Sequence, residues 1–193
     1  VSPEAAASVS DNLADAWRTV GPQLEARPGA EVLIASATPS LGLYAAAIAL
    51  ALGAGRVVYC DRDAARLARA GELGCEVVEG YPKRLGPFPV TVDASGDRDA
   101  LHLALRSTEP EGFCTVASIF YEPETPFPML EMYTAGITVH TGRVHARPVA
   151  PKLLDLMAAG RLRPERVAGT VVPWDQAPEA LADRREKLVI SRA

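Results

Sequence analysis

The 193-residue chain is 48% hydrophobic and carries 20 basic against 24 acidic side chains, a net charge of −4. That content is enough for a packed core and excludes a disordered chain. The mild negative charge, free of long like-charge blocks, points away from nucleic acid and anionic membranes as partners.

Val1, not Met, opens the sequence, and Pro3 stands in a first-turn position, as expected of a piece of a longer polypeptide. Residues 3–8 read as one or two helical turns. Ser10 or Asp11 is placed to cap a second helix reaching Val20, with Leu13, Ala16, Trp17 and Val20 on one face. Gly21 and Pro22 are expected to stop it. A turn over 25–30 leads to a strand over 31–36, then a helix over 39–52 ended by Gly53 and Gly55. A strand over 56–61, a helix over 63–73 ended by Gly74 and a strand over 75–79 follow, then a Pro/Gly loop from Pro82 to Pro89. The alternation resumes with a strand over 90–94, a helix over 97–106 and a strand over 112–119. After the YEPETPFP loop come a short helix over 129–135 and a strand over 136–141. The last part reads as helix 148–160, with Leu153, Leu154, Leu156 and Met157 as its apolar positions, strand 169–173, helix 175–181 and strand 187–191.

The first six strands are nearly continuous β-branched runs alternating with helices. That pattern predicts a doubly wound α/β (Rossmann) parallel six-stranded sheet, in order 3-2-1-4-5-6 by right-handed crossovers, with a C-terminal α/β tail. Residues 1–26 form a helical lead-in, 27–147 the Rossmann domain and 148–193 a tail whose apolar residues need a partner surface. The longest apolar run, Ala45–Leu52, is too short to span a bilayer, and no signal peptide is visible. Cys60, Cys75 and Cys114 all fall in predicted strands, odd in number and without metal-site spacing. They read as buried thiols of a reducing compartment, the cytoplasm.

The stretch VLIASATPSLGLY, residues 32–44, lies where such a fold keeps a glycine-rich phosphate loop. Only Gly42 is in place; Ser36, Ala37 and Pro39 stand at the other glycine positions of the two usual spacings. Thr38 and Pro39 read as N-cap and first helical residue. The amides of Ser40, Leu41 and Gly42 remain as donors, and the hydroxyls of Ser36, Thr38 and Ser40 can supply others. Gly42 is expected to serve close helix–strand packing. Asp61, 19 residues on at the end of a strand, is the expected acid for adenosine ribose hydroxyls and favours NAD; its plainer role is a helix cap. Arg62 next to it can soften that preference or stack on adenine. Ser95, in the DASG of residues 93–96, is either a ligand contact at a strand end or, with Asp97, a helix cap. His140 and His145 flank the end of the sixth strand as structural or catalytic histidines, and the residues alone identify no catalytic group.

The run GAEVLIASATPSLGLYAAAIALALGAGRVVYCDRDAARLARAGELGCEVVE resembles the cofactor domain of medium-chain, zinc-type alcohol dehydrogenases and quinone reductases. So do VTVDASGDRDALHLALRST, ITVHTGRVHARPVAPKLLDLMAAGRL and EALADRREKLVI. The resemblance implies hydride transfer between an alcohol or carbonyl substrate and NAD, with NADP also admitted. It implies a separate N-terminal catalytic domain, missing here, that brings zinc; without it the chain alone is not expected to turn over. Asp11 matches a zinc-ligand position of that family, although in this chain an N-cap is the preferred reading. Ala117, Ser118 and Ile119 are placed by the resemblance near the nicotinamide ribose, His140, Thr141 and Gly142 near the carboxamide, and Lys187 at the pyrophosphate. The tail is expected on the missing domain and a homodimer through edge strand 137–141. Two rivals stand beside this reading: a non-catalytic Rossmann binding or scaffolding module, and a methyltransferase-like Rossmann domain.

Overall fold

A computed structural model describes residues 1–167, 170–182 and 187–192. Six parallel strands form one sheet in the order β3-β2-β1-β4-β5-β6: β1 Val32–Ser36, β2 Val57–Asp61, β3 Glu76–Glu79, β4 Phe88–Ala94, β5 Thr108–Val116 and β6 Thr138–Thr141. The chain reverses its winding between β1 and β4, so a crevice opens above the carboxyl ends of those strands.

Alternate residues of the central strands feed two cores. The first helix, α1 (Pro3–Ala6), is short. Val32 and Ile34 of β1, Tyr59 of β2 and Val92 of β4 share a core with α2 (Asn12–Ala26), α3 (Leu41–Ala51) and α7 (Ala146–Ala158). Leu33, Ala35, Val58 and Cys60 face α5 (Arg98–Ser107), with α6 (Met129–Ala135) at its margin. Helix α3 is apolar on nearly every side because it lies between the sheet and α2. Its one large polar tip, the Tyr44 hydroxyl, is satisfied by Ser8 at 3.0 Å. Helix α4 (Ala64–Leu73) ends at Gly74, whose φ of 108° a side chain rarely adopts.

Helix α2 does not stop at Gly21 and Pro22 but runs through both to Ala26. A Cβ at position 21 would lie against the Trp17 indole, so glycine permits that close packing. Pro22 removes the amide that would bond the Arg18 carbonyl, and Gln23 Nε2 reaches that carbonyl at 3.5 Å instead. Burial of Leu24 and its neighbours outweighs the local break. Strand β5 begins at Thr108, four residues before the expected start. A bulge there changes the register from Phe88–Thr108 to Val90–Phe113, and Glu111 takes φ 60°. It ends at Val116, leaving Ala117, Ser118 and Ile119 in the loop above the sheet. Cys75 lies just before β3 and is only partly buried, whereas Cys60 and Cys114 are buried in strands.

Beyond α7, β7 (Thr170–Pro173) and β8 (Leu188–Ser191) pair in parallel as a separate two-stranded sheet, connected through α8 (Ala177–Ala182). The expected strand start at Gly169 falls outside the described residues. No helix among the described residues is long and apolar enough to cross a membrane.

Candidate cofactor cleft

A cavity of about 790 Å³ opens above the carboxyl ends of β1, β4 and β5. It gathers Thr38, Pro39, Ser40 and Leu41 from the β1–α3 turn, Ser95 after β4, Ala117 and Ser118 after β5, and Lys187 before β8. These residues come from four separate stretches, and the sheet's switch point is what brings them together.

The β1–α3 turn folds without the missing glycines. Glu111 is the only non-glycine among the described residues with positive φ, so Ser36, Ala37 and Pro39 all adopt conformations open to ordinary residues. The Ala37 amide donates to the Ala94 carbonyl at 3.3 Å, and Ser36 Oγ donates to the same carbonyl at 3.4 Å. Ser36 is therefore fully buried beneath the cleft. Gly42 is needed for proximity: a Cβ there would collide with the Ser36 side chain and lie 3.2 Å from the Tyr59 ring.

Helix α3 starts at Leu41 with Ser40, not Thr38, as its cap residue. Ser40 Oγ is held by Asn12 Nδ2 at 2.9 Å, and the Tyr44 amide donates to the Ser40 carbonyl at 2.8 Å. The contact from Asn12, on a helix far away in sequence, fixes the start of α3. Thr38 Oγ1 is left buried without a hydrogen-bond partner, as is Ser118 Oγ. Both residues line the cleft, and unsatisfied buried hydroxyls are uncommon enough to ask for a ligand. With the first-turn amides of α3 and the Lys187 ammonium, this end of the cleft suits an anion.

The end of β4 is also built by hydrogen bonds. Ser95 Oγ donates to Asp93 Oδ1 and accepts from the Asp97 amide at 2.9 Å. Asp97 is the α5 cap, its carboxylate accepting from the Asp99 and Ala100 amides at 2.8 and 3.2 Å. Asp93 is fully buried, and burial raises its carboxyl to about 7, with the Asp97 carboxylate adding to the effect. Its Oδ2 has no partner.

Asp61 ends β2 as expected, yet its carboxylate is fully buried and already engaged. Oδ1 accepts from the Asp63 amide at 2.9 Å and Arg66 Nη2 at 2.8 Å, Oδ2 from Arg66 Nε at 2.8 Å and the Tyr59 hydroxyl at 3.3 Å. Those four bonds fill the capacity of a carboxylate. Asp63, not Asp61, caps α4 by accepting from the Arg66 amide at 2.9 Å. Arg62 pairs with Asp97 at 2.8 Å and Asp99 at 2.7 Å, its guanidinium 4.6 Å from the Tyr81 ring centre. Neither Asp61 nor Arg62 lines the 790 Å³ cavity.

His140 is exposed on the edge strand, 6.3 Å from Phe113 ring to ring, and neither it nor His145 lines the cleft. Ile119 and Gly142 line both the main cleft and an adjoining cavity of about 470 Å³, which Thr141 and Phe127 also border. Asp11 lines the main cleft in the cap position of α2 but makes no side-chain capping bond. Beside it Asp15 is taken by Arg18. No group of three histidine, cysteine or carboxylate side chains that could hold a metal comes together among the described residues. These described residues do not fit zinc by themselves.

Sequence reasoning missed Asn12, Arg143 and Tyr81. Arg143 lines both cavities just past β6, and Tyr81 follows β3 closely. Proximity to a strand's carboxyl end was the available signal for both. Nothing local marks Asn12, whose role depends on the packing of α2 beside α3.

Residues 40–159 match the family model described as zinc-binding dehydrogenase. A probable zinc-binding alcohol dehydrogenase of Mycobacterium tuberculosis is 26% identical over 97% of this chain and 50% of its own length. The alcohol dehydrogenase of Thermus sp. ATN1 superposes with TM-score 0.83 at 28% identity, over 99% of this chain and 59% of that one. A putative zinc-binding dehydrogenase of Sinorhizobium meliloti, solved bound to NADP, shares the fold at TM-score 0.78 and 17% identity, over 96% of this chain and 58% of its own. The chain spans about half the length of the curated relatives it matches. Its sheet order, its cleft at the switch point and the match over more than half its length place it in the zinc-binding dehydrogenase family.

Proposed function

We propose that this chain is the NAD(P)-binding part of a zinc-type medium-chain dehydrogenase, acting in hydride transfer between an alcohol or carbonyl substrate and a nicotinamide dinucleotide. The observation that carries the reading is that Thr38 and Ser118, each with a buried, unpartnered hydroxyl, line one cleft at the start of α3. In this reading the pyrophosphate lies on the Ser40 and Leu41 amides, Thr38 Oγ1 and Lys187. Ser95, Ala117 and Ser118 border the path toward the nicotinamide, with His140 outside it on the edge strand. Asp61 with Arg66 marks the adenosine-ribose end; with its acceptor sites filled and its charge paired, it does not by itself decide between NAD and NADP. The bound nicotinamide supplies the hydride chemistry; this chain's residues bind and orient it.

The other partners follow from exposed surfaces. The lead-in helix α2 packs on α3 and the tail helix α7 packs on α2, so the part of the 148–193 tail left to meet a catalytic domain is the β7–β8 sheet. Val171, Trp174 and Leu181 are exposed there. A zinc ion would come with that domain. Strand β6 is the outer strand of the large sheet, and Met129, Leu130 and Tyr133 of the preceding helix are exposed, which supports a homodimer through residues 137–141. Three free thiols fit a cytoplasmic protein.

The test is a titration of the chain with NADH and NADPH, followed by nicotinamide fluorescence. Saturable binding of NADH or NADPH, weakened by Lys187→Ala, is expected. No binding of either at millimolar concentration would leave a non-catalytic module as the better reading.

A further inference from the structure

At the carboxyl ends of β2 and β3 the side chains of Tyr81 and Arg62 close on neighbouring elements of the chain. Tyr81 leaves the carboxyl end of β3 and crosses toward β1, where its hydroxyl donates to the Ser36 carbonyl at 2.6 Å. Its ring packs at the margin of the α5-side core and carries the Arg62 guanidinium 4.6 Å from its centre. Arg62 is anchored on the far side by Asp97 and Asp99 at the head of α5. An aromatic ring thus bridges the ends of β3 and β1, and its stacked cation bridges β2 and α5. These four strand and helix ends surround the place where the fold receives an adenosine.

We propose that Tyr81 and Arg62 form an internal cap that occupies the adenosine subsite, so that an adenine nucleotide must displace Tyr81 to bind. This rests on the dinucleotide reading above. Three observations point the same way. Arg62, expected to stack on adenine, already stacks on a ring of its own chain. Asp61, expected to accept the ribose hydroxyls, has no acceptor capacity left beside that ring. The open cavity contains the phosphate-loop and Ser118 regions but not Asp61, Arg62 or Tyr81. The cap is held by one hydrogen bond, one cation–π contact and two exposed ion pairs, each modest, so it can open. While closed, it lowers apparent affinity in proportion to the open fraction.

The experiment measures 5′-AMP binding to the chain by calorimetry, for wild type, Tyr81→Ala and Tyr81→Phe. The cap predicts that Tyr81→Ala tightens AMP about tenfold and that Tyr81→Phe, which loses only the bond to Ser36, tightens it about two- to threefold. If Tyr81→Ala fails to fold, the Phe variant carries the test. AMP bound equally, more weakly or not at all by the variants overturns the cap. A stacking platform for adenine would give the weaker result. A parallel NADH titration separates the two readings. NADH bound equally by wild type and variants leaves the dinucleotide reading and removes the cap. AMP tightened by Tyr81→Ala, with NADH bound by none of them, does the reverse.

Discussion

Replacing Asp93 by asparagine removes a buried carboxyl that titrates inside the physiological range. In the folded chain burial raises this group from 3.8 to about 7. Its Oδ1 accepts from Ser95 and its Oδ2 has no partner. Asp97 raises it further, and the nearby Cys114 thiol, which burial pushes up to about 12, stays neutral throughout. The sign follows from proton counting. Between about pH 4 and 7 the unfolded chain has lost the Asp93 proton while the folded chain keeps it, so stability falls as pH rises. Below pH ~4 both states are protonated and nothing is lost; above pH ~7 the deficit is complete. A rise of about 3 units corresponds to roughly 4 kcal/mol as an upper limit, or about 8–16 °C in a chain of this size. Asparagine keeps an acceptor for Ser95 and does not titrate. The melting temperature of Asp93→Asn minus that of wild type is therefore expected to grow from pH 4 to pH 7 and then level off. Thermal melts by circular dichroism in a buffer series read this directly. A difference that is flat across the series, or that shrinks with pH, would mean that the folded chain does not keep the Asp93 proton above pH ~4.

Gly42→Ala is expected to destabilise the chain by about 1–3 kcal/mol in urea unfolding, because its methyl group meets the Ser36 side chain. Adding Ser36→Gly should recover much of that loss; no recovery would mean that the helix–strand contact is not the cause. Arg66→Ala leaves a fully buried Asp61 without its two-pronged partner and is expected to cost about 3–5 kcal/mol in the same assay. A loss under 1 kcal/mol would show that Asp61 is satisfied without it.

The sheet was legible because its central strands are compact apolar runs between turn residues, as VLIAS, VVYCD and VTVDA show. The phosphate turn was legible from its place between a strand and a helix even with its glycines replaced. Signals that depend on distant packing were not. Gly21-Pro22 reads locally as a stop, but the buried face of α2 carries the helix through it. Thr38 reads as the natural cap, but Asn12 engages Ser40, 28 residues away, and α3 starts later. Asp61 reads as a free acid at a strand end. One turn further on, Arg66 closes back on it, and nothing in the pattern of residues 61–66 requires that. Tyr81 follows a glycine in an irregular loop, and only its bond to Ser36, 45 residues earlier, shows where it goes.

The proposed function places a dinucleotide across the start of α3 and the loop after β5. The most direct measurement is an amide chemical-shift titration of the isotopically labelled chain with NADH. A dinucleotide bound there gives saturable shifts at Thr38, Ser40 and Leu41, at Ser95, and at Ala117 and Ser118, with Lys187 following the same curve. Shifts confined to other surfaces, or none at millimolar NADH, would contradict it.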